Sequence, residues 1–220
     1  MNKDEEEGEE EEDVKTVKIT LLGNAGVGKT SIILRYTKDD FDEYSNTTRG
    51  ANYSPKTIVI NDTKMRLDIW DTAGQEQYRS LGKHFYKDSY IVILVYDITS
   101  RQSFEDLKHM WYEDLNKYGE KYTVMAIVGN KCDLFEEEEI PEEEARKFAE
   151  EKEAIFMLVS AKGGDNINNL FNILVRKYLE PNFQIKNEER MKQEEMSVKL
   201  RKMSYEDNKK KIKKRQKGCC

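Results

Sequence analysis

The segment from residue 23 to residue 30, with the sequence GNAGVGKT, constrains the fold of this chain more than any other. It fits the pattern G-x-x-x-x-G-K-[ST], and it lies between residues 17–22, typical of a buried strand, and residues 31–36, typical of a helix. A glycine-rich turn in that context directs backbone N–H groups and the positive end of a helix toward one point. The arrangement suits a polyphosphate, and the alternative is a chance glycine-rich turn.

Individual residue types in this segment match separate parts of phosphate chemistry. Gly26 and Gly28 allow the backbone to approach the oxygens, Lys29 can reach the terminal phosphates, and the hydroxyl of Thr30 can ligate Mg²⁺. We therefore expect the phosphates of a bound nucleotide to be held by Asn24, Ala25, Gly26, Val27, Gly28, Lys29, Thr30 and Ser31.

Charge is concentrated at the two ends of the 220-residue chain, whose formal net charge is −6. Residues 1–13 hold nine acids and one lysine, whereas residues 199–217 hold ten Lys/Arg and two acids. Such runs are typical of solvated, disordered segments. We expect an acidic disordered arm over residues 1–14, a folded domain over residues 15–180, and a charged disordered tail over residues 181–220.

Apolar and cysteine patterns favour a cytosolic protein. No run of 18 apolar residues exists and the N-terminus is acidic, so a transmembrane span and a secretory signal are not expected. The three cysteines, one internal and two terminal, cannot form a disulfide framework. We therefore expect a reducing compartment.

Strand and helix patterns alternate between the charged ends. The strands are predicted at residues 16–22, 57–60, 65–70, 90–96, 123–128 and 155–159, and the helices at residues 29–38, 79–86, 103–118, 141–152 and 167–179. Asn61-Asp62 is typical of a hairpin turn between antiparallel strands. The pattern predicts an α/β fold: a mostly parallel six-stranded sheet with one antiparallel edge strand and helices on both faces. Ligands then bind at the carboxyl ends of the strands.

An acidic residue and a glutamine follow the strand that ends at Trp70. Asp71 at a strand tip beside a phosphate loop can hold a metal ion through water, and the alternative is an acid that only caps the strand. Gly74 allows an N–H to approach a terminal phosphate, and Gln75 can orient a water because an amide both donates and accepts.

Two further strand tips carry residues that can recognise guanine. In Asn130-Lys131-Cys132-Asp133, a carboxylate in the plane of the base can accept both the ring N–H and the exocyclic amine. By itself this segment is equally typical of a turn. Ser160-Ala161-Lys162 follows at the spacing of one helix and one strand, and together the two tips favour guanine.

In these motifs the chain resembles a Ras-superfamily small GTPase, and most closely the Rab branch, over about residues 15–180. The resemblance implies a small G domain that binds GTP or GDP with Mg²⁺ and hydrolyses GTP. It implies that Phe41 packs against guanine and that Thr48 ligates Mg²⁺ together with Thr30 and Asp71. Gln75 and Lys29 are then the catalytic residues. The guanine contacts come from Asn130, Lys131, Asp133, Ser160, Ala161 and Lys162.

The chain departs from the usual Rab pattern after Thr48. It has Arg49-Gly50-Ala51-Asn52-Tyr53 where a typical Rab has Ile-Gly-Val-Asp-Phe, so its effector-facing surface is altered. Ala25 lies near the expected γ-phosphate, where many Rabs carry serine. We predict slow intrinsic hydrolysis.

The C-terminus resembles the Rab double-geranylgeranylation signal. Cys219 and Cys220 end the chain directly after a basic run over residues 209–217. Two isoprenoid chains would anchor the protein stably, and the basic run would add attraction to an anionic leaflet. Without the cysteines, the run would be typical of a solvated tail or a nucleic-acid patch. We expect no nucleic-acid partner.

The sequence therefore predicts a Rab-type switch that regulates vesicle traffic at the cytoplasmic face of an intracellular membrane and in the cytosol. The resemblance implies an exchange factor, a GTPase-activating protein, a GDP-dissociation inhibitor, the prenylation machinery and effectors as partners, with a monomer as the default state. Three alternatives stay open: a nucleotide-gated binding module with little hydrolysis, a phosphate-loop ATPase or nucleoside kinase, and a Ras- or Rho-like signalling switch.

Overall fold

A six-stranded sheet is the centre of the structure. The computed structural model describes residues 14–43, 48, 51–72, 88–119 and 124–183. In chain order the strands are β1 (Lys15–Leu22), β2 (Ala51–Ile60), β3 (Thr63–Thr72), β4 (Ile91–Asp97), β5 (Val124–Asn130) and β6 (Ile155–Leu158). Their spatial order is β2-β3-β1-β4-β5-β6.

Every neighbouring pair in the sheet is parallel except β2 and β3. The predicted mostly parallel sheet with one antiparallel edge strand is confirmed. Because the parallel strands share one direction, β1, β3, β4, β5 and β6 end at the same edge of the sheet. That edge carries the predicted ligand-binding segments at residues 23–30, 130–133 and 160–162.

Helices cover both faces of the sheet. They are α1 (Lys29–Lys38), α2 (Arg101–Asp106), a π-helical turn (Leu107–Trp111), α3 (Tyr112–Tyr118), a 3₁₀ segment (Cys132–Glu137), α4 (Glu142–Glu151) and α5 (Ile167–Leu179). The bounds predicted for α1 and α5 are confirmed. The helix predicted at residues 79–86 lies outside the described residues.

Two apolar clusters hold these layers together. One lies between the sheet and α1 and α5, where the Tyr36 and Phe171 rings stack with their centroids 3.7 Å apart. The other lies between the sheet and α2 to α4, and it contains Phe104 and Trp111. Strand β4 is buried along its whole length because it contributes to both clusters. This explains its unbroken apolar sequence.

The antiparallel edge of the sheet is longer than predicted. Asn61 and Asp62 have φ values of 49° and 58°, as the predicted two-residue hairpin requires. However, β2 begins at Ala51, six residues before the predicted strand. Pro55 hid this extension, because proline normally argues against a strand. It is tolerated here since β2 pairs with β3 alone and lies at the edge of the sheet.

The chain makes a tight turn where β1 leads into α1. Gly23 has a φ of 144°, and a Cβ at this position would lie 2.2 Å from the carbonyl oxygen of Val95 in β4. Only glycine fits there without moving the neighbouring strand. The phosphate loop (residues 23–30) therefore lies directly against the sheet edge.

Candidate nucleotide-binding site

A cavity of about 330 Å³ opens at the carboxyl ends of the strands, a size within the range of small-molecule sites. The phosphate loop, α1, the segment after α1 and the tips of β5 and β6 form its walls. The lining residues are Ala25, Gly26, Gly28, Lys29, Thr30, Ser31, Phe41, Asp42, Glu43, Thr48, Asn130, Lys131, Asp133, Leu134, Ala161 and Lys162.

Lys29 is the buried cation at the phosphate end of the cavity. Its side chain is 5% exposed, and its Nζ donates to the carbonyl oxygens of Gly23 at 2.7 Å and Asn24 at 2.9 Å. Burial lowers the pKa of Lys29 to about 8, while the nearby Asp71 carboxylate opposes this shift. Because a polyphosphate would add negative charge, it would favour the charged form of this lysine.

The N-terminus of α1 adds partial positive charge at the same end. Gly28 occupies the N-cap with a φ of 93°, and no side chain caps the helix. The first turn of α1 also contains no acidic residue. The free N–H groups of this turn are therefore available to an anion in the cavity.

Three side-chain oxygens converge beside Lys29. Thr30 Oγ1 donates to Asp71 Oδ2 at 2.7 Å, Thr48 Oγ1 lies 3.2 Å from the same oxygen, and the two hydroxyls are 2.7 Å apart. Asp71 is 2% exposed, and burial raises its pKa, opposed by the Thr30 hydrogen bond. Within the described residues, Asp71 Oδ1 has no hydrogen-bond partner. A buried, unpaired carboxylate oxygen beside two hydroxyls fits Mg²⁺, which prefers oxygen ligands.

A carboxylate is fixed at the other end of the cavity. Ser160 Oγ donates to Asp133 Oδ1 at 2.6 Å and accepts from the backbone N–H of Gly163 at 2.8 Å. Ser160 is fully buried, so its hydroxyl is held between these two partners. Asp133 therefore lies at the cavity wall with one oxygen held by Ser160, and a carboxylate held in this way can accept hydrogen bonds from a ligand.

Asn130 joins the two ends of the cavity. Its Nδ2 donates to the carbonyl oxygen of Val27 at 2.8 Å, and its Oδ1 accepts from the N–H of Ala161 at 3.1 Å. The first bond reaches the phosphate loop and the second reaches the base turn (residues 160–163). A Cβ on Gly28 would lie 2.2 Å from Asn130 Nδ2, so this close approach depends on a glycine.

Lys131 forms one side of the end of the cavity that contains Asp133 and Ser160 (the base end). Its backbone has a φ of 65°, and its Nζ lies 2.6 Å from Asp97 Oδ2. Asp97 is fixed in turn, because its Oδ1 accepts from the backbone N–H of Thr99 at 2.9 Å. The ion pair therefore fixes the lysine stem along the cavity wall.

An ion pair crosses the outer part of the cavity. Lys162 Nζ lies 3.0 Å from Glu43 Oε1, and both side chains are more than half exposed. The hydrogen bond from Lys162 to Glu43 raises the pKa of the lysine. Phe41 lines the same part of the cavity. The segment after α1 and the base turn are thus linked over the base end.

A family model described as Ras family matches residues 18–180 of this chain. Rab-22A from Homo sapiens is 42% identical, over 74% of this chain and 84% of the relative. Rab5A from Oryza sativa subsp. japonica is 40% identical over 76% and 82%, and RABF2a from Arabidopsis thaliana is 40% identical over 73% and 80%.

This chain is a Rab-family small GTPase. As a Rab protein it binds guanine nucleotides and hydrolyses GTP, and it works with regulators and effectors. A search of the described residues for helices finds none long and apolar enough to cross a bilayer.

Two residues of the phosphate loop of this Rab GTPase, Asn24 and Val27, have side chains directed away from the cavity, so their predicted nucleotide contacts can come only from the backbone. The side chain of Val27 is buried in the core. The side chain of Asn24 extends toward α2, where its Nδ2 donates to Asp106 Oδ2 at 2.6 Å and its Oδ1 accepts from Trp111 Nε1 at 2.8 Å. Asn24 therefore connects the phosphate loop to α2 and the π-helical turn.

Several residues predicted for the site or its surroundings lie outside the described part of the chain. These are Arg49, Gly74, Gln75, Cys219 and Cys220.

Two supporting residues of the Rab site were missed by sequence reasoning. Asp97 ends β4 at the same edge as the predicted strand tips, which was an available signal for its pairing with Lys131. Arg35 lies in the last turn of α1 and contacts the base turn. Nothing in its local sequence predicts a contact with a residue 126 positions away.

Proposed function

We propose that this Rab GTPase is a molecular switch that alternates between GDP- and GTP-bound states on a membrane and regulates vesicle traffic. The cavity is the observation that supports the proposal most. Buried cationic and oxygen groups meet at one end, and a fixed carboxylate lies at the other. That combination suits a nucleotide with a polyphosphate and a base that presents two donors.

The phosphate end would neutralise charge on the transferring phosphoryl group. Lys29 and the N–H groups of the phosphate loop would face the phosphates, and Gln75 would orient the attacking water. Thr30, Thr48 and Asp71 would hold Mg²⁺, whose charge stabilises the phosphate oxygens when it is bound. The phosphate loop itself contains no arginine. We therefore expect a slow basal rate and an activating partner that supplies one.

The switch would operate through two segments around Thr48 and Gly74. Thr48 Oγ1 already lies 2.7 Å from Thr30 Oγ1, which supports a link between its segment and the phosphate loop. A γ-phosphate would hold both segments, and hydrolysis would release them. Effectors would bind the GTP-bound form, in which both segments are held.

Membrane attachment would come from the C-terminal residues. Prenyl groups on Cys219 and Cys220, together with the basic run over residues 209–217, would anchor the protein to an intracellular membrane. A GDP-dissociation inhibitor would hold the prenylated chain in the cytosol. The paired cysteines favour this role over that of a Ras- or Rho-like switch.

Calorimetry on nucleotide-stripped protein tests the site. We expect GDP and GTP to bind at least about 100-fold more tightly than ADP and ATP, because adenine would leave the Asp133 acceptor unpaired. Binding should also strengthen with Mg²⁺. Asp133→Asn should lose most of the guanine preference, while Glu150→Gln on the surface of α4 serves as the control. Equal binding of ADP and GDP would favour the ATPase or kinase alternative.

Single-turnover GTP hydrolysis, measured with and without cell extract, tests the enzymatic cycle. We expect a slow basal rate, a clear stimulation by extract, and no stimulation of Gln75→Leu. If the wild type is stimulated no more than Gln75→Leu, the binding-module alternative with little hydrolysis is favoured. A rate for Ala25→Gly within twofold of the wild type would remove any special role for Ala25.

Localisation of the tagged full-length chain tests the membrane step. The wild type should distribute between membranes and cytosol, whereas the double variant Cys219→Ser/Cys220→Ser should be entirely cytosolic. A double variant that stays on membranes would contradict lipid anchoring.

A further inference from the structure

Arg35 connects three segments around the base end of the cavity. It extends from the last turn of α1, and its Nε donates to the carbonyl oxygen of Ala161 at 2.9 Å. Its Nη2 donates to the carbonyl oxygen of Lys162 at 3.0 Å. Its Nη1 donates to the carbonyl oxygen of Asp39 at 3.0 Å and to Asp39 Oδ1 at 3.2 Å.

These contacts use the geometry of a guanidinium group. Its planar fork presents donors in several fixed directions, whereas a lysine ammonium is a compact point charge. The Arg35 side chain is 19% exposed. Its bond to Ala161 is partly buried, whereas its bonds to Lys162 and Asp39 lie at the surface. Two of its acceptors belong to the base turn, and the other two belong to Asp39, the C-cap of α1, two positions before Phe41.

The peptide planes of the base turn transmit the effect of Arg35. In a planar trans peptide, the N–H points away from the carbonyl oxygen of the same unit. Because the Lys162 carbonyl is directed to Arg35, the Gly163 N–H points to the opposite side, where it donates to Ser160 Oγ at 2.8 Å. Ser160 Oγ in turn donates to Asp133 Oδ1 at 2.6 Å.

We propose that Arg35 is a positioning residue for guanine recognition. It fixes the peptide planes of residues 161–163, which orient Ser160 and thereby the Asp133 carboxylate, and it fixes the start of the segment that carries Phe41. This inference rests on the proposed nucleotide site. It predicts that Arg35 controls both the residence time of GDP and the preference for the 2-amino group of guanine.

Dissociation of GDP and of inosine diphosphate from the full-length protein tests the proposal. Inosine diphosphate lacks the 2-amino group, so the ratio of the two rates reports the Asp133 contact. Arg35→Lys keeps the charge but loses the fork. It should raise the GDP dissociation rate about tenfold, equal to about 1.4 kcal/mol, and should bring the two rates closer together. Association rates should change less than twofold.

A matched arginine provides the control. Arg146 in α4 is 22% exposed, pairs with Glu142 four residues earlier, and does not line the cavity. Arg146→Lys should leave both dissociation rates within twofold of the wild type. Arg35→Gln keeps one amide donor and should have a smaller effect than Arg35→Met. If Arg35→Met does not fold, Arg35→Lys and Arg35→Gln decide the outcome.

Two results would overturn the assignment. One is GDP release from Arg35→Lys within twofold of the wild type. The other is an equal acceleration of GDP and inosine diphosphate release, as a loss of general stability would cause. A wild-type protein that does not prefer GDP to ADP would instead contradict the proposed nucleotide site, and that measurement precedes any variant.

Discussion

The phosphate end of the cavity consists of buried ionisable groups, whereas the base end is organised by hydrogen bonds around one carboxylate. At the phosphate end, burial lowers the pKa of Lys29 and raises the pKa of Asp71, and both shifts favour the neutral form of the side chain. At the base end, Ser160, Asn130 and Arg35 form a connected set of hydrogen bonds with Asp133 and Ala161. The first end is therefore suited to sensing added charge, and the second to holding one base in a fixed geometry.

Removing the cation of the phosphate end should have the largest effect. Lys29→Met deletes a buried charge that would face the phosphates, so nucleotide affinity should fall at least about 100-fold. The loss should be larger for GTP than for GMP, since GMP lacks the terminal phosphates. Calorimetry with both nucleotides measures this, and an equal loss for the two would show that the lysine does not act on the terminal phosphates.

Removing one hydroxyl at the base end should affect all guanine nucleotides alike. Ser160→Ala leaves the Asp133 carboxylate without its buried donor, so GDP and GTP affinities should both fall about 10- to 100-fold. Their ratio should stay within twofold of the wild type. Stopped-flow association and dissociation rates of GDP and GTP give both affinities. The conservative variant Ser160→Thr, which keeps the hydroxyl, is the control. A selective loss of GTP would contradict the division of roles between the two ends.

The lysine of the phosphate end predicts a pH dependence of binding. Its pKa is about 8 in the free protein and would rise when phosphates bind, so binding takes up a proton near pH 8. GDP affinity should therefore fall about tenfold between pH 7 and pH 9. Lys29→Arg should remove this dependence, because arginine stays charged across the range.

The same shift predicts the pH dependence of folding without nucleotide. The pKa of Lys29 is about 8 in the folded state and 10.5 in a solvated chain, so the unfolded chain binds more protons between about pH 8 and 10.5. The Lys29 contribution to the free energy of unfolding should rise with pH across that window. Urea titrations of the wild type and Lys29→Met at several pH values measure the free energy of unfolding. If it changes with pH equally in the two proteins, the shift in the Lys29 pKa is contradicted.

Breaking the exposed ion pair at the base end should have the smallest effect. Glu43→Gln removes the charge that pairs with Lys162, and exposed ion pairs contribute little. GDP dissociation should rise no more than about threefold, and the difference should shrink at high salt. Glu150→Gln, a neutralisation on the surface of α4 at a residue that does not line the cavity, is the control.

Local sequence was sufficient to predict turns and helices whose conformation depends only on their own segment. The pattern over residues 23–30 predicted the turn between β1 and α1, and the positive φ values of Asn61 and Asp62 match the predicted hairpin. The bounds of α5 were also predictable, because an amphipathic helix repeats its pattern over several turns. The start of β2 was not, since an edge strand tolerates Pro55 and exposed polar residues.

Contacts between distant segments limited the prediction of the site. Asn130 was predicted as a guanine contact, yet its side chain is occupied by Val27 and Ala161. Asn24 was predicted to bind phosphate, and its side chain is directed to Asp106 and Trp111, so a phosphate contact of its backbone stays a prediction. The side chains of Asn24 and Asn130 support the segments that line the cavity. Their contacts with a nucleotide stay predictions.

The sequence by itself determined which residue types meet at the sheet edge, because a parallel α/β alternation brings the carboxyl ends of its strands together. It therefore predicted the phosphate loop, the acidic strand tip and the two segments proposed to recognise guanine. Only the tertiary structure decided how those segments are held. Arg35, Ser160 and Asn130 act across separations of 27 to 126 residues, and a hydrogen bond at that range depends on packing rather than on a local pattern.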